Sequence, residues 1–341
     1  MSLEILKNDL KSAQLRRLYY IHGKEPYLKY FYAGQIKRIL LSDDPDKIDL
    51  IELNGADLTA EDMAEAMQTL PVVCEKKLII VTDVDFNSSG AAWLQDNPNV
   101  LDGPTVTVFF DSTERVRADG SPLAATAASK RFNAFIKKYG LDVKIDSLDQ
   151  RTLTAWISKQ ARLRKRTISE DTALYLASCV GTNMFRLIGE IGKLCAYCEH
   201  EISKQAVDDI CVKTQEAKLY ELTDCLLNAN AVKAMFVLDA LLSMKTEPIV
   251  ISAAMGTYAA NIYRVKLQYD AGESIQNIAE KTGMRDFVVK KILNRLGTKS
   301  ERDIAQALDA CARSDFALKS YSADSEAVLT QQIMHLMALF K

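Results

Sequence analysis

Apolar and polar positions follow two rhythms along this chain, and the change between them falls near residue 146. Before it, short apolar runs alternate with helical periods. Leu18-Tyr19-Tyr20-Ile21 reads as a buried strand and Gly23 as a turn. Pro26 reads as the first position of a helix running through Ile36 and Leu40, because proline there gives up no bond the helix would make. Residues 48–53 make a second strand. Thr59 opens a helix, with Leu58 and Met63 spaced as a hydrophobic staple, and Pro71 closes it. Residues 78–81 and 105–110 are continuous apolar runs, the pattern of parallel strands covered on both faces. A helix over 122–138, starting at Pro122, and a strand over 141–145 follow. This order predicts a doubly wound α/β domain with right-handed crossovers.

From Ser147 onward the β pattern disappears. Ser147, Ser169, Asn183 and Ser203 each stand before a helical apolar period, which predicts four short helices with these residues as N-caps and Gly181 as a C-cap. From about Gln215 to the end the period is helical throughout, with stripes such as Leu219, Leu222, Leu226 and Leu238, Leu241, Leu242. Charge and a change of register are the only marks of a linker near 213. The predicted division is therefore an α/β domain over 1–146, a small helical domain over 147–213 and a second helical domain over 214–341. No internal repeat accompanies it.

Composition narrows the function classes. A chain of 341 residues with 48% hydrophobic content has room for two or three packed domains. Its first eleven residues are polar and charged, and no apolar run nears the ~20 residues that span a bilayer, so the expected location is cytoplasmic, away from membranes. The seven cysteines are an odd, scattered set, which predicts reduced thiols. A net charge of −2 leaves room only for a local basic face toward nucleic acid.

The segment Leu18 to Leu28 has the strand, turn and helix of a phosphate-binding loop without its chemistry. Such a loop needs several glycines whose amides face phosphate, then Gly-Lys-Ser/Thr for phosphate and Mg²⁺. One glycine and one lysine are present, Gly23 and Lys24. The strand over 78–81 leads to Asp83 and Asp85, an acidic strand end that lacks its nucleotide partner and reads as a turn with solvated aspartates. Cys195, Cys198 and His200 have a loosely zinc-like spacing. The two cysteines, however, continue the apolar stripe of Leu187, Ile191 and Leu194, and no second Cys pair completes a tetrahedron, so core packing is expected and no metal. His22, His200 and His335 sit in no nucleophile motif, so no catalytic residue and no cofactor are predicted.

Three stretches point to macromolecular contacts. Arg162, Arg164, Lys165 and Arg166 belong to a basic block free of acidic residues, which suits either DNA phosphates or a solvated helix C-terminus. Ile275 to Ile292 has helix-turn-helix spacing around Gly283, but Phe287 and Val289 interrupt the face that would read bases, so a packed hairpin is preferred. Met67, Gln68, Leu70, Pro71, Val72 and Val73 form an apolar helix end and turn before the charged Glu75, Lys76 and Lys77. These residues alone favour sealing the edge of the α/β core.

Together these segments resemble the delta-subunit family of the bacterial DNA polymerase III clamp loader. The resemblance runs nearly end to end. It is carried by Leu18 to Leu28, Thr69-Leu-Pro-Val-Val73 before Lys76-Lys-Leu-Ile-Ile-Val81, and Glu190-Ile-Gly-Lys-Leu194. It continues through Leu219-Tyr-Glu-Leu-Thr-Asp224, Gly283 with Phe287-Val-Val-Lys290, and Asp315-Phe-Ala-Leu-Lys-Ser320. The resemblance implies an AAA+-like α/β domain with a parallel sheet and a degenerate P-loop, then a helical lid and an all-α collar. It also implies a holoenzyme subunit without activity of its own, which opens the sliding clamp (the beta subunit) for loading onto primed DNA. Its other partners would be the delta-prime and tau or gamma subunits in a hetero-oligomer serving DNA replication. Under the resemblance Met67 to Val73 become the clamp contact. The alternative reading is a DNA-binding regulator that uses the hairpin at 275–295.

Overall fold

The computed structural model describes residues 2–116, 123–284, 286–297, 299–320 and 324–340. The chain forms two compact units, Met1–Leu153 and Thr154–Lys341.

The first unit runs α1 (Ser2–Ser12), β1 (Leu18–His22), α2 (Pro26–Leu40), β2 (Leu50–Asn54), α3 (Ala60–Gln68), β3 (Lys77–Thr82) and α4 (Ser89–Asp96). A 3₁₀ turn (Pro98–Asp102), β4 (Thr105–Phe110), α5 (Ala127–Tyr139) and β5 (Leu141–Lys144) complete it. The five strands pair in parallel in the order β2-β3-β4-β1-β5. Alternation along each strand explains why both faces are covered. Leu18, Tyr20, Ile79, Val81 and Phe109 pack against Met63, Ala66 and Met67 of α3, Ala91 and Leu94 of α4, and Phe132, Phe135 and Ile136 of α5. On the opposite face Tyr30 of α2 places its ring 4.8 Å from that of Phe110. This is the doubly covered parallel α/β unit that the sequence predicts.

Helix starts follow the local chemistry closely. Pro26 opens α2 behind Glu25, whose carboxylate accepts the Tyr27 amide. Thr59 caps α3 in a reciprocal capping box with Asp62, and the staple residues Leu58 and Met63 are both buried. Gly23 sits at φ +115°, and a Cβ there would meet the Ile145 carbonyl oxygen at 2.4 Å, so only glycine fits.

The second unit opens within α6 (Gln150–Leu163) and continues with β6 (Thr167–Ile168), α7 (Glu170–Val180), α8 (Met184–Tyr197), β7 (Glu201–Ile202) and α9 (Lys204–Ile210). Seven further helices follow: α10 (Gln215–Leu227), α11 (Ala231–Ser243), α12 (Pro248–Asp270), α13 (Ile275–Thr282), α14 (Asp286–Leu296), α15 (Glu301–Leu318) and α16 (Ser325–Ala338). Ser169, Asn183 and Ser203 cap α7, α8 and α9, and Gly181 ends α7 at φ +87°. Helices α10 to α16 share one apolar core, which encloses a polar pair: Ser252 Oγ donates to Gln332 Oε1 at 2.8 Å. At the expected linker, Lys213 bridges Asp208 at 3.0 Å and Glu221 at 3.3 Å. No helix among the described residues is long and apolar enough to cross a membrane.

Several expectations are corrected. The second unit is not free of β structure, since β6 and β7 pair in parallel over two residues each, too short to leave an alternating pattern. Ser147 does not cap α6; the helix starts at Gln150, and Asp149 Oδ1 accepts the Thr152 amide at 2.7 Å. α5 starts at Ala127 behind a Thr126 cap, and Pro122 lies outside the described residues. Helices α1 and α4 are additions to the predicted order, being short and only partly apolar.

Candidate functional site

α3 ends at Gln68 because Pro71 disfavours helical backbone at Leu70, and the chain reverses toward β3 through residues 69–76. Leu70 is 69% exposed, Val72 76% and Val73 44%. Gln68 is exposed beside them and Pro71 half-buried. Three aliphatic side chains thus stand out from one short loop.

The backbone beneath them is held from two sides. Asp49, 3% exposed, accepts the amides of Val72 at 2.6 Å through Oδ1, and of Val73 at 2.7 Å and Cys74 at 2.6 Å through Oδ2. Burial acts to raise the Asp49 pKa, but the three amides outweigh it and hold the carboxyl below its ordinary range. From the other side Lys77, 1% exposed, donates its ammonium to the Ala66 and Thr69 carbonyls at the end of α3. A buried cation there satisfies orphan carbonyls and complements the helix dipole. Burial lowers the Lys77 pKa, with Asp49 opposing. Lys77 is therefore a strut under the loop rather than the charged surface bracket its sequence position suggests.

Met67 is also corrected as a surface residue. It faces the sheet, where its Sδ accepts from Thr107 Oγ1 of β4 at 3.5 Å, so it anchors the end of α3 from below. The exposed members of the predicted set are Gln68, Leu70, Val72 and Val73.

The degenerate phosphate loop is filled by the protein's own groups. Glu25 places a carboxylate at the N-terminus of α2, where a phosphate would lie. The Glu25 amide donates to the Ile145 carbonyl at 3.1 Å, and Lys24 pairs with Glu114 at 3.8 Å. Asp83 is not simply solvated: it accepts from the Ser112 amide at 2.8 Å and the Ser112 hydroxyl at 2.6 Å. Asp111, at the end of β4, accepts the Tyr20 hydroxyl at 2.7 Å and both arms of Arg115 at 2.8 Å. His22 lies 2.7 Å from Asp142 and stacks on Tyr20. Each of these acidic groups has an internal partner.

In the basic block, Arg162, Arg164 and Lys165 are exposed at the end of α6, and Lys165 adopts φ +60°. Arg166 is half-buried and donates Nε to the Cys198 carbonyl. Only part of this block faces outward. The hairpin of α13 and α14 forms around Gly283 in the left-handed region at φ +69°, and Ile278, Val289 and Ile292 sink into the helical core. Val289 is thus core rather than an interruption of an exposed face, whereas Phe287 is exposed.

Comparison with known proteins agrees with this layout. Residues 216–336 match the family model described as DNA polymerase III delta subunit, C-terminal domain. The DNA polymerase III subunit delta of Bacillus subtilis is 21% identical over 96% of this chain and 95% of its own length. The probable DNA polymerase III subunit delta of Aquifex aeolicus is 21% identical over 92% and 89%. Among solved structures, the DNA clamp loader delta protein of Bacillus subtilis superposes with a TM-score of 0.57 at 20% identity, covering 99% of this chain and all of that one. Residues 216–336 thus carry the C-terminal domain of the DNA polymerase III delta subunit, and the chain as a whole shares the fold of a clamp loader delta protein and is similar to delta subunits over nearly their whole length.

Proposed function

We propose that the chain is the clamp-binding subunit of a DNA polymerase III clamp loader. It docks residues 68–73 into the sliding clamp and opens it for loading onto primed DNA. Residues 1–146 carry the contact, 147–213 act as a lid, and 214–341 form the collar that joins delta-prime and tau or gamma subunits in the cytoplasm. The observation that carries the reading is the exposed triplet Leu70, Val72 and Val73 on a backbone fixed by Asp49 and Lys77. A core-edge seal would bury these side chains. A preorganised apolar plug loses little conformational freedom on docking, which favours a protein partner with a matching pocket. Mixing the chain with purified sliding clamp in the absence of DNA tests this reading, because a DNA-binding regulator needs no such complex. The regulator reading loses support from Phe287, which sets a large exposed apolar ring on the face that would read base edges.

In this role the chain itself neither binds nor hydrolyses ATP. Glu25 at the α2 N-terminus opposes a triphosphate, and the single Gly23-Lys24 step supplies neither the glycine-rich amide cradle nor the Ser/Thr ligand for Mg²⁺. Calorimetry should give no saturable ATP binding at micromolar concentrations, and Lys24→Ala should leave clamp binding unchanged. Saturable binding would overturn this reading of the loop.

The basic block serves DNA only within the assembled loader. Replacing Arg162, Arg164 and Lys165 with alanine should flatten the salt dependence of primed-DNA binding by about 0.9 in log–log slope for each phosphate no longer neutralised. An unchanged slope in the complete loader would assign these residues to a solvated helix end. Arg166, committed to the Cys198 carbonyl, should contribute less.

A further inference from the structure

Behind the exposed loop the fold gathers two carboxylates and a thiol that are far apart in sequence. One carboxylate oxygen each of Asp44 and Asp49 and the Sγ of Cys74 lie within 4.8 Å of one another. Asp44 is 2% exposed. Its Oδ2 accepts the Asp49 amide at 2.7 Å, but its Oδ1 is buried with no hydrogen-bond partner among the described residues. A buried carboxylate oxygen without a donor is costly, and such oxygens persist where they are paired or coordinate a metal. The three amides on Asp49 fix that carboxylate's orientation, as the outer contacts of metal ligands do. Cys74 is half-buried, which leaves one side of the cluster open to water.

We propose that Asp44, Asp49 and Cys74 form a site for a borderline divalent transition-metal ion, with Zn²⁺ the best match, tying the segment before β2 to the loop over 70–74. The donor set decides the class. Ca²⁺ and Mg²⁺ take oxygen ligands in shells of six or more, whereas a thiolate with two carboxylates and a water gives the four-coordinate mixed set that suits zinc. Binding releases the Cys74 thiol proton to solvent as the sulfur–metal bond forms, and no electrons move. Without a cation the thiol stays protonated: burial pushes its pKa up, and the charges of Asp49, Asp44 and Asp43 add to that. The ion would stiffen the loop that carries Leu70 to Val73; this consequence rests on the proposed clamp contact, while the site itself does not.

The test titrates the metal-free full chain with Co²⁺, whose thiolate charge-transfer band in the near ultraviolet reports a sulfur ligand, and then displaces it with Zn²⁺. The band should appear with a single tightly held ion, vanish in Cys74→Ser, and persist in Cys198→Ser, which controls for the α8 thiols. Asp44→Asn, whose side-chain oxygen can still accept the Asp49 amide, should fold normally and weaken binding roughly tenfold or more. Absence of the band, its survival in Cys74→Ser, or equal binding of Ca²⁺ would overturn the proposal. Thermal midpoints measured alongside distinguish loss of the site from loss of fold.

Discussion

Replacing Leu70 and Val72 together with serine should weaken binding to the sliding clamp about a hundredfold or more and leave the thermal midpoint of the free chain where it is. Both parts follow from exposure. Leu70 and Val72 already stand in water in the free chain, so their removal costs the fold almost nothing. On docking, each large aliphatic side chain fully buried contributes roughly 1.5 to 3 kcal/mol, and two of them at the centre of a small contact make its hot spot. About 3 kcal/mol at ~1.4 kcal/mol per tenfold gives the hundredfold change. Surface plasmon resonance on immobilised clamp measures the affinity and differential scanning calorimetry the midpoint. Normal binding with an unchanged midpoint would move the site elsewhere, and a large drop in midpoint would return these residues to the core edge.

Asp49→Asn, at a buried position that no clamp residue can touch, should weaken clamp binding about tenfold and also lower the midpoint. The carboxylate takes three amides from successive loop residues, and hydrogen bonds to a charged acceptor contribute about 1.5 to 3 kcal/mol each, less where freed amides reach water. Asparagine keeps one oxygen and turns an NH₂ toward donors, so the loop must give way. Amide exchange at Val72, Val73 and Cys74 should accelerate in the variant. The same bonds set a pH dependence. The folded Asp49 pKa lies below its unfolded value, so its stabilisation is fully present above the unfolded carboxylate pKa and is lost as pH falls through the folded one. The wild type should therefore lose midpoint at acid pH by a component that is missing in Asp49→Asn. Equal acid profiles for the two proteins would contradict the latch.

Much of this arrangement is legible in the sequence because local chemistry fixes it. Pro26, Thr59 with its Leu58/Met63 staple, Ser169, Asn183, Ser203 and Gly181 each satisfy a helix end through neighbours within a few residues, and each holds in the structure. The strands of the sheet are similarly plain, since burial on both faces leaves unbroken apolar runs. Pro71 after the apolar end of α3 marks the exposed loop itself. What sequence does not reveal is support from a distance. Asp49 lies 23 residues before Val72, and its carboxylate meets the loop only because β2 and β3 pair in register. Lys77 reads as one charge in a polar run, yet it is buried under α3 because two carbonyls await it there. Met67 belongs to the same stretch as Leu70 but lies on the buried face of α3, whereas Leu70 falls beyond the helix end in the loop, a boundary that composition cannot carry. The basic block is legible as charge, whereas the capture of Arg166 by the Cys198 carbonyl depends on the turn between α8 and β7.

If the exposed apolar loop is the clamp contact, the chain binds the sliding clamp by itself and needs neither DNA nor nucleotide to do so. Isothermal titration of the purified chain into purified clamp, in nucleotide-free buffer, decides the matter. Saturable binding is expected, with a negative heat-capacity change, the mark of apolar surface leaving water. Absence of binding under these conditions, or binding that arises only when DNA or ATP is added, would refute a direct apolar contact.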